Sequence, residues 1–318
     1  MRVLMISTDR KIFESESTVK LRMLNYASKI DELFIIVLGA NFGLKIEGKL
    51  KYIGLTRFRA LFWKSPKGFD IVTSQDPFET GIIARRLAKI LKVKLELQIH
   101  TDIGNHYFQQ ESLKNRVRHL LSKQLLSKAD HIRVVSNKLK NYLVEKLKID
   151  NSKIEVRPIF VDIEKIKNTP ITINLHQKYP QFDKIILMAS RLTREKNIDL
   201  AIEAMFEVVK QDSKIGLIIV GSGPEENRLK LLASSFQLLD NLVFEKWVNQ
   251  ETLYSYYKTC DLFLLTSFYE GYGMTLVEAQ AAGCKIVSTD VGVAKEIGAT
   301  ISDQNYLCLA KEVLESLK

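Results

Sequence analysis

Only three of the 318 residues are cysteine, Cys260, Cys284 and Cys308. Odd in number, far apart in the chain and without clustered histidines beside them, they exclude a disulfide framework and a zinc site. They predict free thiols in a reducing compartment, hence a cytoplasmic protein. No stretch approaches the roughly 20 apolar residues of a membrane span, so nothing is expected to cross a bilayer. The opening "MRVLMISTDR" turns polar after Ile6, too early for the apolar region of a secretory signal, and reads as a first β-strand. Proline is sparse, and three of the six lie between positions 157 and 184, in a segment without sustained period that is the best linker candidate. No Asp-x-Asp triplet occurs, and no glycine lies between Ser7 and Leu24.

What remains is a soluble globular composition, 46% hydrophobic and 26% charged, long enough for two domains with real cores. The charge is unevenly divided. Residues 1–160 carry 30 Lys/Arg against 16 Asp/Glu, whereas 161–318 carry 17 against 21. A positive first half suits an anionic partner or a solubilising lysine-rich surface. Short apolar runs alternate with helical patterns throughout: "RVLMIS", "ELFIIVLG", "DIVTSQ", "VKLELQIH" and "HIRVVS", then "KIILMAS", "KIGLIIVG", "NLVFE", "DLFLLTS" and "CKIVSTD". This alternation predicts an α/β protein with two doubly wound, Rossmann-like domains, 1–163 and 164–318, and ligands at the carboxyl ends of their strands, in a cleft.

Three strand-loop-helix units carry the chemistry. In "ASRLTREKNIDLAIEA", Arg191 ends a strand and Lys196 precedes a helix starting near Asn197 or Ile198, a plausible anion clamp. "IVGSGPEENRLKLL" turns on Gly221 and Gly223, with Pro224 suited to a first helical position. In "SFYEGYGMTLVEAQAAG", residues 267–283, Glu270 and Glu278 flank a glycine-containing turn and a buried helix from about Thr275 to Gly283. The first turn of such a helix binds phosphate through free N–H groups and its dipole, which leaves the two glutamates for another role.

In this order and spacing, the three units resemble the donor-binding domain of the family 4 retaining glycosyltransferases, of the two-domain glycosyltransferase-B (GT-B) fold. "SRLTREKN" resembles the family's G-R-L-x-x-x-K-G element, "VGSGPEENRLK" its V-G-x-G-P turn, and "EGYGMTLVEAQAAGCKIVST" its E-G-F-G segment with the E-x7-E spacing. The resemblance runs over residues 184–297 and implies a nucleotide-sugar-dependent transferase (EC 2.4 class) in glycan or glycolipid assembly. Glu270 is then the catalytic carboxylate at the donor sugar, favouring the charge that develops as the glycosidic bond breaks, and Glu278 binds the ribose hydroxyls. Gly221, Gly223, Gly271 and Tyr272, with the backbone of Gly273, Met274, Thr275 and Leu276, complete the donor site. Arg191 and Lys196 neutralise the departing diphosphate, so no metal or cofactor is expected. His100, at a strand end in "QIHTDIGNHYF", resembles the family's cleft histidine that meets the donor sugar; a structural histidine is the alternative.

Departures from the family pattern include the glycine-free stretch after the first strand, Lys246 where the base-binding region usually has glycine, and an end at "LAKEVLESLK", where members commonly continue through a helix that crosses back. The second functional reading is therefore a catalytically weak sugar-nucleotide or phosphate-binding protein of the same fold. The basic half suggests an anionic membrane surface or a lipid-linked acceptor, with peripheral association at the inner face. No nucleic-acid motif accompanies the charge. Residues 51–69 mix Phe58, Phe62 and Trp63 with Arg57, Arg59 and Lys64, and are expected to meet the membrane. Residues 112–128 carry a leucine stripe that their own sheet is expected to bury.

Overall fold

The computed structural model describes residues 1–15 and 17–318; Glu16, inside the glycine-free stretch, lies outside them. The chain forms two units, Met1–Pro158 and Ile159–Lys318, dividing five residues before the expected boundary.

The first unit runs β1 (Arg2–Ser7), α1 (Thr18–Ser28), β2 (Glu32–Leu38), β3 (Lys45–Glu47), β4 (Leu50–Leu55), α2 (Arg57–Phe62), β5 (Ile71–Ser74), α3 (Glu79–Leu91), β6 (Lys94–Ile99), α4 (His106–Glu111), α5 (Leu113–Leu126), β7 (His131–Val134), α6 (Asn137–Glu145) and β8 (Ile154–Val156). Its sheet has the order β3-β4-β2-β1-β5-β6-β7-β8, parallel except where β3 meets β4. β1 and β2 are buried from their second residue onward, as central parallel strands under helices on both faces must be. The strand order reverses direction between β1 and β5, where Ser7 donates its hydroxyl to Gln75 Oε1 at 2.7 Å. Beyond Ser7 an Asp9-capped turn of 3-10 helix, Arg10–Phe13, takes the place of a glycine-rich loop.

The second unit runs α7 (Ile163–Asn168), α8 (Leu175–Lys178), β9 (Lys184–Ala189), α9 (Ile198–Gln211), β10 (Ile215–Val220), α10 (Glu226–Ser235), β11 (Leu242–Glu245), α11 (Gln250–Thr259), β12 (Leu262–Leu265), α12 (Met274–Ala281), β13 (Ile286–Thr289), β14 (Thr300–Ser302) and α13 (Tyr306–Leu317). The sheet order is β11-β10-β9-β12-β13-β14, all parallel. Strand periodicity divides the core: Ile186 and Met188 of β9 enter one apolar cluster with α9 and α13, Ile185 and Leu187 the other with α11 and α12. The reversal falls between β9 and β12, so the loops after these strands meet at the position where open α/β sheets bind ligands.

Two expectations are corrected. The segment 157–184, expected to be the linker, does hold the division between the units, but beyond Pro158 it is part of the second unit. Ile166, Leu175 and Phe182 are buried in the second unit's core, and Lys258 Nζ donates to the carbonyls of Lys167 and Thr169. The leucine stripe of α5 is buried only at its end, at Leu125 and Leu126. The face turned inward carries Asn115, His119, Ser122, Leu125 and Leu126, while Leu113, Val117 and Leu120 are 77%, 55% and 65% exposed. Each such side chain left in water forgoes about 1.5–3 kcal/mol of burial. The inward polar groups are satisfied instead, His119 Nδ1 meeting the Ile103 carbonyl at 2.8 Å and Asn115 donating to Glu111 at 2.6 Å. The segment expected at a membrane is divided: Phe58 and Phe62 are exposed, but Trp63 is half-buried against Phe34, with ring centroids 5.5 Å apart.

Gly223 owes its identity to close approach, since a Cβ there would lie 2.2 Å from the Leu192 carbonyl oxygen and 2.8 Å from the Leu192 nitrogen. Gly283, at φ +82°, has open space where a Cβ would go. Gly223→Ala is expected to destabilise the second unit by about 1–3 kcal/mol through overpacking against backbone. Gly283→Ala should cost only the roughly 1–2 kcal/mol of left-handed strain and leave ligand binding untouched. Urea unfolding of both variants, followed by intrinsic fluorescence, checks the contrast; wild-type stability in Gly223→Ala would contradict it.

Candidate functional site

The loop after β9 and the loop after β12 are bound to each other at three levels. Phe268 donates its N–H to the Glu195 carbonyl at 2.8 Å, and Thr266 donates its hydroxyl to the Lys196 carbonyl at 3.0 Å. Lys196 Nζ then reaches Glu270 Oε1 at 2.5 Å, with both side chains largely buried. Ser267 donates a second hydrogen bond to the same oxygen at 2.8 Å, and its own carbonyl is held by Thr289 Oγ1 at 2.7 Å. Arg191 lies on the rim, mostly exposed, paired with Glu195 at 3.0 Å. The sequence reading chose Lys196, Arg191 and Glu270; it missed Ser267, Thr289 and Glu195, which hold them. "LTSFYEG" offers a serine three residues before the glutamate, and that spacing was the available signal.

From Glu270 the chain passes through buried Gly271 and half-buried Tyr272 to Gly273, whose φ of +87° starts α12. Gly292 makes this turn possible. A Cβ there would lie 2.2 Å from the Tyr272 carbonyl oxygen, and the neighbouring Val293 N–H donates to that carbonyl at 2.9 Å. Of the four backbone groups expected to take phosphate, Leu276 N–H already donates to the Gly273 carbonyl at 3.1 Å. The start of the helix at Met274 still supplies N–H groups without intrahelical acceptors and a positive dipole end. Thr275 is half-buried and Met274 43% exposed, so this end of α12 is open to a ligand.

Glu278 lies one turn further on, buried, accepting from the Tyr257 hydroxyl at 3.2 Å. Burial pushes its carboxyl above the usual range, and the Tyr257 bond partly opposes this. The sequence reading missed Tyr257; in "YSYYK" Tyr254 and Tyr257 repeat at helical spacing on the buried side of α11, which marks a buried ring but not its partner. Gly221 and Gly223 serve the structure itself. The Gly221 N–H is occupied by the Glu245 carbonyl at 2.9 Å, and both glycines admit the backbone of Ser190 and Leu192. The thiols of Cys260 and Cys284, distant in sequence, meet at 3.1 Å near the far end of α12 without a bridge.

His100 follows β6 in the first unit. Its Nε2 lies 3.2 Å from Gln98 Oε1, which also accepts from Arg133; Gln98 donates onward to Thr73 at 2.9 Å, and Thr73 to Glu96 at 2.8 Å. This relay makes Nε2 the protonated nitrogen and leaves Nδ1 an acceptor. Asp102 does not orient the ring. It is buried in its own turn, where the N–H groups of Gly104 and Asn105 serve it. His100 itself is exposed; partial loss of water around its ring, then the charges of Arg133 and Arg22, still lower its pKa from 6.5 to about 4. Because the folded pKa lies below the unfolded one, His100 contributes stability in full above pH 6.5 and loses it as pH falls toward 4. Histidine-ring NMR should find it neutral down to pH 5; a midpoint at 6.5 or above would contradict the described surroundings.

Two family descriptions match the chain, "Glycosyltransferase Family 4" over residues 25–165 and "Glycosyl transferases group 1" over 174–306. Among curated proteins, it is 26% identical over 230 residues to the alpha-monoglucosyldiacylglycerol synthase of Streptococcus pneumoniae, covering 69% of this chain and 51% of that protein. It is 30% identical over 182 residues to an N-acetylgalactosaminyltransferase of Campylobacter jejuni acting on a diphospho-undecaprenol-linked sugar, covering 56% and 47%. The chain thus spans about half the length of these relatives. Among solved structures, sucrose-phosphate synthase from Thermosynechococcus elongatus superposes with a TM-score of 0.78 at 17% identity, covering 100% of this chain and 90% of that one. Anabaena HepE in complex with UDP superposes at 0.74 and 15%, covering 99% and 89%. These likenesses establish the GT-B fold.

Proposed function

Since the chain belongs to the family 4 glycosyltransferases, we propose that it moves a sugar from a nucleotide-sugar donor to a glycan or lipid-linked acceptor, with retention of anomeric configuration and without a metal. The observation that carries this reading is the Lys196–Glu270 pair beside the start of α12. A cation, a carboxylate and a helix N-terminus converge where the strand order reverses, which suits a diphosphate joined to a sugar.

In this reading the donor diphosphate lies across the first turn of α12, and Lys196 turns from Glu270 toward the leaving phosphate. The released Glu270, still held by Ser267, accepts from the sugar hydroxyls and stabilises positive charge on the ring as the bond to phosphate stretches. Glu278 binds the ribose hydroxyls, fixed in direction by Tyr257. His100, on the first unit, presents Nδ1 as an acceptor of the kind that suits a sugar hydroxyl. Arg191, on the rim, adds charge to the diphosphate. With two cations and a helix dipole neutralising the leaving group, the reaction needs no metal. Peripheral association with an anionic membrane surface is part of the proposal, supported by the excess of 30 Lys/Arg over 16 Asp/Glu in residues 1–160. Among the described residues no helix is long and apolar enough to span a bilayer.

Glu270→Gln is expected to lower donor hydrolysis and transfer by about two to three orders of magnitude while keeping nucleoside diphosphate affinity within a few-fold. Arg191→Ala should do the reverse, weakening diphosphate binding modestly, because an exposed ion partner contributes little. Transfer by Glu270→Gln at the wild-type rate would remove the carboxylate from its role. Activity should also persist in excess chelator; inactivation reversed by Mg²⁺ or Mn²⁺ would overturn the metal-free reading.

A further inference from the structure

Between α3 and α5 lies a groove of about 560 Å³, lined by Ile82, Arg85, Arg86, Lys89, Leu121 and Leu125 among others. Ile82 and Ile90 of α3 line it while remaining exposed, and Leu113, Val117 and Leu120 are exposed on α5. Cations border them: Arg85 and Lys89 are exposed on α3, and Lys114, Arg116 and Lys123 are exposed on α5. The acidic residue of α3, Glu79, is occupied by Arg118 at 3.0 Å. Within the groove, Arg86 Nη1 is enclosed by protein yet has no hydrogen-bond partner. The rest of Arg86 is only half-buried, so its guanidinium lines the groove with hydrogen-bonding capacity that a charged acceptor would use best.

We propose that the α3–α5 groove is a binding site for the phosphate headgroup of an anionic lipid, with Arg86 and its neighbours Arg85 and Lys89 on the phosphate and the acyl region laid along Leu113, Val117 and Leu120. This deepens the membrane association proposed above by assigning it to α3 and α5. Phosphate alone would satisfy the arginines but leave the leucines in water. An uncharged apolar partner would cover the leucines and bury Arg86 further without an acceptor. An anionic amphiphile satisfies both features of this face, and lying at the surface it needs no insertion beyond the headgroup boundary.

The test is sedimentation of the full chain with vesicles of phosphatidylcholine alone and with added phosphatidylglycerol, at low and high salt. Wild-type protein should prefer the anionic vesicles. Arg85→Ser/Arg86→Ser/Lys89→Ser should reduce that binding roughly a hundredfold at low salt, each cation near the surface being worth about a factor of five. Leu113→Ser/Leu120→Ser should remove the part that survives high salt. Phe58→Ser/Phe62→Ser on α2 should change neither. Arg85→Glu and Lys89→Glu, on exposed side chains, repeat the charge test should the triple variant unfold. Loss of binding only in the α2 variant would overturn the groove and keep the membrane reading. Equal binding to both vesicles would overturn both, while transfer would still stand or fall by donor hydrolysis in the same preparations. Release from vesicles by millimolar glycerol 3-phosphate would identify a soluble phosphate ester as the ligand and overturn the lipid assignment.

Discussion

The ion pair between Lys196 and Glu270 is the constraint on which the second unit's site depends. It joins the loops after β9 and β12, which are neighbours only because the strand order reverses there. Both side chains are largely withdrawn from water, so neither charge is stable without the other or a substitute. Ser267 also holds Glu270, and the 2.8 Å bond from Phe268 to the Glu195 carbonyl holds the loop carrying Lys196. In the proposed reaction, an anionic ligand that offers Lys196 a new partner frees a carboxylate already in place. The unliganded pair thus stores the arrangement that the proposed reaction uses.

Backbone proximity makes that pair possible. Gly221 and Gly223 let the turn after β10 press on Ser190 and Leu192, and Gly292 lets the segment after β13 press on Tyr272. Each contact fixes a loop between a strand and the helix that follows it. The same logic explains why the glycine-free stretch after β1 is not simply a defect: an aspartate-capped turn and the Ser7–Gln75 bond order the corresponding place in the first unit.

The alternation of apolar runs was enough to find most of the strands, because parallel strands buried on both faces read as continuous hydrophobic segments. Strands β3, β8 and β14 are three residues each, too short for a periodic signal, and β4 was hidden in a segment noticed for its aromatics. Glu270, Glu278, Arg191 and Lys196 were chosen from order and spacing, and the structure pairs Lys196 with Glu270. Of their supports, Thr289 and Tyr257 act through contacts 22 and 21 residues away in the chain, a separation that leaves no local pattern. The orientation of α5 was misread for a physical reason. Periodicity identifies a helix with an apolar face, but it does not say which face the fold covers, and here hydrogen-bonded Asn115 and His119 occupy the inside.

The central claim, that Lys196 leaves a carboxylate for a diphosphate at the start of α12, is tested most directly by calorimetric titration of uridine and guanosine diphosphates into wild-type protein and Lys196→Ala, without metal. A charge-assisted contact of about 1.5–3 kcal/mol predicts that the wild type binds at least one of them and that the variant binds it at least tenfold more weakly. Equal affinity in the two proteins, or binding that appears only when a divalent cation is added, would contradict the account.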